Sequence, residues 1–161
     1  MNYVFDSSSL IYLGKLGLLG KVGNLDGKKF IPSNVYKEVV VKGFERGEPE
    51  AKYIDVLIKN KTFSISSAIF NRVKFLSDAD TEVIELSKAK KSVAIIDETF
   101  AKCVAKSEGL ECHGTLYIIF MLMKRKLITK NEAINYIDNM VRLGFYLSAE
   151  DYKAAMKFIE K

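Results

Sequence analysis

Two apolar runs in this chain stop at an aspartate. Tyr3, Val4 and Phe5 lead to Asp6 and a serine triplet, and residues 93–96 lead to Asp97 and Glu98. Each is followed by a stretch of helical character. Runs this continuous suit parallel strands covered by helices on both faces. In open α/β sheets, ligands bind outside the carboxyl ends of strands, where loops and helix amino termini converge. A carboxylate there can ligate a cation. Equally, Asp6 or one of Ser7 to Ser9 can cap the next helix by accepting from its free N–H groups. Two strands of one sheet ending in Asp at one edge are harder to ascribe to capping than either alone.

Two more acids fall on helix faces. In a helix predicted over residues 34–41, Glu38 lies about 60° from Val35 and borders the packed face. A solvated glutamate with its stem on the core is the other reading of it. In LSDADTEVIEL, residues 76–86, Asp80 precedes Val83 and Ile84 by three and four positions and shares their face. Glu82 falls about 200° away from it, so Asp80 is the acid expected to point inward. Alternatively Asp80 is the N3 member of a capping box opened by Ser77. Carboxylates crowded together repel and raise one another's pKa, so a cluster of Asp6, Glu38, Asp80 and Asp97 is costly unless a cation occupies it. Hard oxygen donors without His or Cys favour Mg²⁺ or Mn²⁺, which ordinarily meet substrate phosphates. That implies phosphodiester chemistry.

The elements that must position these acids read as one α/β domain over residues 1–161. A short or broken helix spans residues 10–22, where leucines alternate with glycines. KKFIP gives a brief strand before the helix of Glu38. Residues 43–50, charged and holding Gly47 and Pro49, read as a loop, followed by a helix over 51–59 and an alternating strand over 62–66. Residues 110–113 make the last strand, and Gly114 and Thr115 open an apolar helix through Met123. Residues 131–142 are amphipathic, and Ser148 with Glu150 or Asp151 caps a final helix. No internal repeat appears.

Composition bounds the setting. The net charge of +5 permits a polyanionic partner, but the lysines are spread along the chain, so a merely solvated surface fits as well. Cys103 and Cys112 lack metal-ligand spacing and read as reduced thiols, buried or half-buried, of a cytoplasmic protein. His113, the only histidine, cannot build a zinc site and reads as a loop or strand-end residue. The first residues show no signal-peptide pattern, and the longest apolar run, 116–123, is too short to span a bilayer.

Taken in order, VFDSSSLI, IPSNVYKEVV, LSDADTEVIEL, AIIDETFAK and LECHGTLYIIFMLMKRKLIT resemble a PIN domain of the toxin type. The resemblance covers nearly the whole chain, including the closing GFYLS. It implies a three-layer α/β/α sandwich around a mostly parallel sheet with the first strand central, and a metal-dependent ribonuclease. Asp6, Glu38, Asp80 and Asp97 match the family's acidic metal site, with Asp6 and Asp97 as direct ligands of Mg²⁺ or Mn²⁺. Glu38 and Asp80 act through water, and one of them orients or deprotonates the attacking water. Ser8 matches a small polar position beside the first acid, and Glu98 the acid often found after the last one.

The chain departs from the pattern at three points. Ala79-Asp80 replaces Gly-Glu, shortening one carboxylate by a methylene. Ala101, with Lys102 beside it, stands where a basic residue is common. Thr115 stands where many members carry a further acid, and can support a metal only through its hydroxyl. The resemblance further implies an RNA substrate, a homodimer, and a small antitoxin whose tail fills the acidic groove. The alternative is a PIN-like module that binds RNA or protein without cutting. A phosphotransfer domain would want a second acid beside Asp6, and a haloacid-type phosphatase would want Asp at Ser8.

Overall fold

A strand buried on both faces needs parallel neighbours at its edges and helices above and below, and the apolar runs find both. The computed structural model describes residues 1–161, which group into two compact units, 1–115 and 116–161. The first unit holds β1 (Tyr3–Phe5), β2 (Lys29–Pro32), β3 (Ser64–Ser66), β4 (Val93–Ile95) and β5 (Cys112–His113). All pairings are parallel, in the order β3-β2-β1-β4-β5, so the first strand is central as the sequence leads one to expect. Helices lie on both sides of the sheet. The side chains of β1 and of residues 93–96 are at most 3% exposed. Each large one contributes roughly 1.5–3 kcal/mol of apolar burial.

Register is what aligns the acids. Tyr3, Val4 and Phe5 stand opposite Val93, Ala94 and Ile95, and Asp6 N donates to Ile95 O at 2.9 Å. The two chains therefore leave the sheet at the same edge and in step. His113 ends β5 beside Ile95, as a strand-end residue.

The helices of this unit are α1 (Ser7–Lys15), α2 (Leu19–Gly23), α3 (Ser33–Tyr36), α4 (Lys42–Glu45), α5 (Pro49–Lys59), α6 (Asp78–Lys90) and α7 (Thr99–Ser107). The break between α1 and α2 comes at Gly17, in the left-handed conformation at φ +70°, where the lack of a Cβ removes the steric cost. Between α3 and α4 the helix widens into a π turn, Lys37–Val41. The expected loop over 43–50 is shorter than the sequence suggests, because the helix runs on to Glu45 and α5 begins at Pro49. Gly43, the first residue of that expected loop, is instead buried within α4. A Cβ there would stand 2.7 Å from that of Ala51, so glycine lets α4 approach α5. α6 packs on β1, β2 and β4 and against α3.

The second unit is helical. It continues α8 (Thr115–Lys124) and adds α9 (Lys130–Arg142) and α10 (Ala149–Glu160). Thr129 and Glu132 form a capping box at α9, and Ser148 caps α10 by accepting from Asp151 N. Tyr152 donates to Asp138 at 2.7 Å, and the rings of Phe120 and Phe158 lie 4.5 Å apart. No helix is long and apolar enough to cross a membrane. The two cysteines differ: Cys112 is buried, but Cys103 is exposed on α7 rather than half-hidden. Ala101 and Ala105 take the packed face of α7 in its place.

Candidate active site

Asp6 is both a cap and a brace between strands. Its Oδ1 accepts from Ser9 N at 2.8 Å, closing the first turn of α1, while its Oδ2 accepts from Asp97 N at 2.8 Å. The capping role and the position at the sheet edge thus belong to one side chain. Asp6 is 2% exposed, and burial, followed by the charge of Asp97, pushes its pKa from the ordinary 3.8 up to about 7, against the pull of the Ser9 and Asp97 hydrogen bonds.

Asp97 is held from the other side. Thr115 N donates to its Oδ1 and Thr115 Oγ1 to its Oδ2, both at 2.7 Å. A fully buried threonine therefore fixes both oxygens. Gly114 makes room for this: a Cβ on it would lie 2.8 Å from Asp97 Oδ1 and 3.2 Å from Lys102 Nζ. Lys102 consequently flanks this edge with a cation.

Glu38 and Asp80 form a second group. Glu38 lies in the first turn of the π segment, a feature frequent at functional sites, and accepts from Ser7 Oγ. Ser7 is thus the serine that meets an acid, whereas Ser8 is exposed on the same turn. Asp80 is half-buried; its carboxylate accepts from Ser77 Oγ at 2.8 Å, and its N–H donates to the same oxygen at 3.0 Å. The expected cap is present, but the acid returns to the serine hydroxyl instead of the serine backbone. Burial pushes the Asp80 carboxyl up, the Ser77 bond opposes this, and the charges of Glu98 and Glu38 add to the rise. Glu98 is exposed and caps α7 by accepting from Ala101 N at 2.6 Å.

Two groups of like charge therefore share one sheet edge: Asp6 with Asp97, and Asp80 with Glu38 and Glu98. As placed, no three acid, His or Cys side chains converge closely enough to hold an ion among them. The donor set is nonetheless all oxygen, which suits Mg²⁺ or Mn²⁺. A buried carboxyl whose pKa is raised beside another carboxylate is what a divalent cation relieves. Donor chemistry and charge fit such an ion, with Asp6 and Asp97 as the pair that would hold it. Each of their oxygens spends one lone pair on the hydrogen bonds described and keeps another.

One acid escaped the sequence reading. Glu82 is 2% exposed, although the 200° offset from Asp80 turns it away from the expected inner face. Its Oε2 accepts from Asn34 N at 2.8 Å and Asn34 Nδ2 at 2.9 Å, and its Oε1 from Ala68 N at 3.3 Å. It ties the start of α3, the helix that runs on to Glu38, to the segment after β3. The reason is that α6 is covered on more than one side: Ala79, Thr81, Val83, Ile84, Leu86 and Ser87 are buried as well. That near-continuous run of small and apolar residues was the available signal, since it leaves no wet face for Glu82.

A family model described as a PIN domain matches residues 2–161. Among solved structures, the chain is similar to a PilT N-terminus domain protein from the hyperthermophilic archaeon Sulfolobus solfataricus P2, at 17% identity and a TM-score of 0.53, over 73% of this chain and 90% of that one. It is also similar to a domain of a functionally unknown protein from Methanocaldococcus jannaschii DSM 2661, at 18% identity and a TM-score of 0.48, over 70% and 89% of the two chains. No curated protein matches.

Proposed function

Since the chain belongs to the PIN domain family, whose members are commonly nucleases, we propose that it is a Mg²⁺- or Mn²⁺-dependent endoribonuclease and the toxin of a toxin–antitoxin pair. The observation that supports this best is the buried Asp6 carboxyl, raised to about 7 beside Asp97. Such a pair is an electrostatic liability that a bound cation relieves. Asp6 and Asp97 hold the cation, and Thr115 keeps the Asp97 oxygens aimed. A bound ion supplies charge stabilisation at the phosphate and a nucleophile near neutral pH. Glu38 and Asp80 hold and orient water from the helix side, with Ser7 and Ser77 fixing their carboxylates. Lys102 meets substrate phosphate, doing the work expected of the family's basic position from one residue further on. A homodimer and an antitoxin tail over the acids complete the reading, with one PIN-like domain spanning residues 1–161.

A second reading, a module that binds without cutting, is favoured by one observation: the Asp80 carboxylate is engaged within its own helix cap and no three acids converge. The test is cleavage of an end-labelled mixed RNA pool with Mg²⁺, Mn²⁺ or chelator. Metal-dependent cutting that is lost in Asp6→Asn and Asp97→Asn supports the nuclease. Wild type that binds RNA but leaves it intact with every metal supports the silent module.

A further inference from the structure

Between β3 and the cap of α6, residues 67–76 form neither helix nor strand and expose side chains that proteins ordinarily hide. Ile69 is fully exposed, Phe75 is 82% exposed and Val73 is 39% exposed. Arg72 and Lys74 alternate with them. The segment is tied down at its start and at its middle. The Ser67 and Ser33 hydroxyls share a hydrogen bond, Ala68 N donates to Glu82, and Arg72 Nη2 donates to Asp78 Oδ2 at 3.1 Å. It is therefore anchored to the start of the helix that leads to Glu38 and to the start of the helix that bears Asp80.

Inside it, Leu76 N donates to Val73 O at 3.1 Å and closes a turn. Phe75 sits in that turn at φ +68°, a conformation that turns ordinarily give to glycine or asparagine. The chain thus holds a phenyl ring in water at a backbone cost, and such outliers cluster at ligand clamps. Lys74 Nζ lies 5.0 Å from the ring centroid.

We infer that residues 69–75 form a platform for single-stranded RNA, in which a base stacks on Phe75 while Lys74 draws the adjoining phosphate. The inference rests on the nuclease reading for its choice of RNA. An exposed aromatic face with cations beside it is the general means of gripping single strands without sequence preference. The core of a protein interface would instead be depleted of lysine. The acids at the sheet edge repel phosphate, so a cation such as Lys74 on a segment anchored beside them supplies attraction a strand needs to reach them.

The test is fluorescence anisotropy of a labelled, mixed-sequence single-stranded oligoribonucleotide, in chelator, on the Asp97→Asn background so that nothing is cut. Phe75→Ala and Phe75→Leu are expected to weaken binding by roughly 5- to 100-fold, and Phe75→Trp to keep it. Lys74→Ala should lower the salt dependence by about one phosphate contact. Leucine keeps the apolar bulk and lacks the ring, so full binding by Phe75→Leu overturns the platform. So does the absence of binding by the parent protein. A Phe75→Ala protein that changes its self-association in sedimentation velocity with RNA affinity intact also overturns it, and assigns the segment to a contact between copies. Failure of metal-dependent cleavage with Phe75-dependent binding retained removes the nuclease reading and leaves the platform. Cleavage with binding indifferent to Phe75 removes the platform alone.

Discussion

The charge on Asp6 can be weighed without substrate, by unfolding the metal-free protein at several pH values. Its folded carboxyl titrates at about 7 against an ordinary 3.8. The folded state therefore holds the proton across that window while the unfolded state has released it, and stability falls as pH climbs from about 4 to about 7 and then levels. The whole effect amounts to about 4 kcal/mol, and roughly 2 to 3 kcal/mol of it lies between about pH 5 and pH 8. Asp6→Asn removes the titration. It also turns an amide N–H₂ toward one of two backbone donors, Ser9 N or Asp97 N, at a cost of about 1–3 kcal/mol. That cost does not depend on pH, so it cancels when the variant-minus-wild-type difference is compared across pH. Urea unfolding in chelator, followed by circular dichroism, should show the difference shifting toward the variant by about 2 to 3 kcal/mol over that range. Mn²⁺ should then stabilise the wild type at the high-pH end and leave the variant unmoved. A difference that stays constant to within about 0.5 kcal/mol would mean that Asp6 is not a raised carboxyl, and the electrostatic argument for a cation would go with it.

Two further outcomes follow from the geometry. Glu82→Ala strands three donors, Asn34 N, Asn34 Nδ2 and Ala68 N, and should cost about 3–5 kcal/mol in urea unfolding, whereas Glu82→Gln keeps one acceptor for the Asn34 pair and should cost about 1–2 kcal/mol; equal losses would remove the acid from its tethering role. Gly114→Ala places a Cβ 2.8 Å from Asp97 Oδ1, which Thr115 N already holds, so RNA cleavage should fall by about 10- to 100-fold while the melting temperature moves little; undiminished cleavage would show that Asp97 need not stay where it is.

The strand ends were legible because an unbroken apolar run of that length admits few structures, and both acids follow from where the runs stop. Parallel register then brought Asp6 to Asp97 without any further signal. The helix of Glu38 was legible only in outline, since the π turn at Lys37–Val41 depends on hydrogen-bond spacing that no residue type announces. The extent of the loop over 43–50 was not legible, because charge, Gly47 and Pro49 mark a turn without saying how far the helices on either side run into it. Glu82 was hidden by the assumption that a helix has one inner face. Ser7 and Ser8 differ by a single position, and only the direction of the Glu38 side chain decides which of them meets it.

The central claim is that Asp97, with Asp6, belongs to a site that cuts RNA. Asp97→Asn suits its test because the replacement can keep every neighbour: Oδ1 still accepts from Thr115 N, and Nδ2 donates to Thr115 Oγ1. The measurement is the rate of cleavage of labelled RNA in Mn²⁺ by wild type and by Asp97→Asn, purified in parallel and shown by melting curves to be folded. Cutting by the wild type that is at least about 100-fold slower in the variant is the predicted result. Equal rates, or no cutting by either, would contradict it.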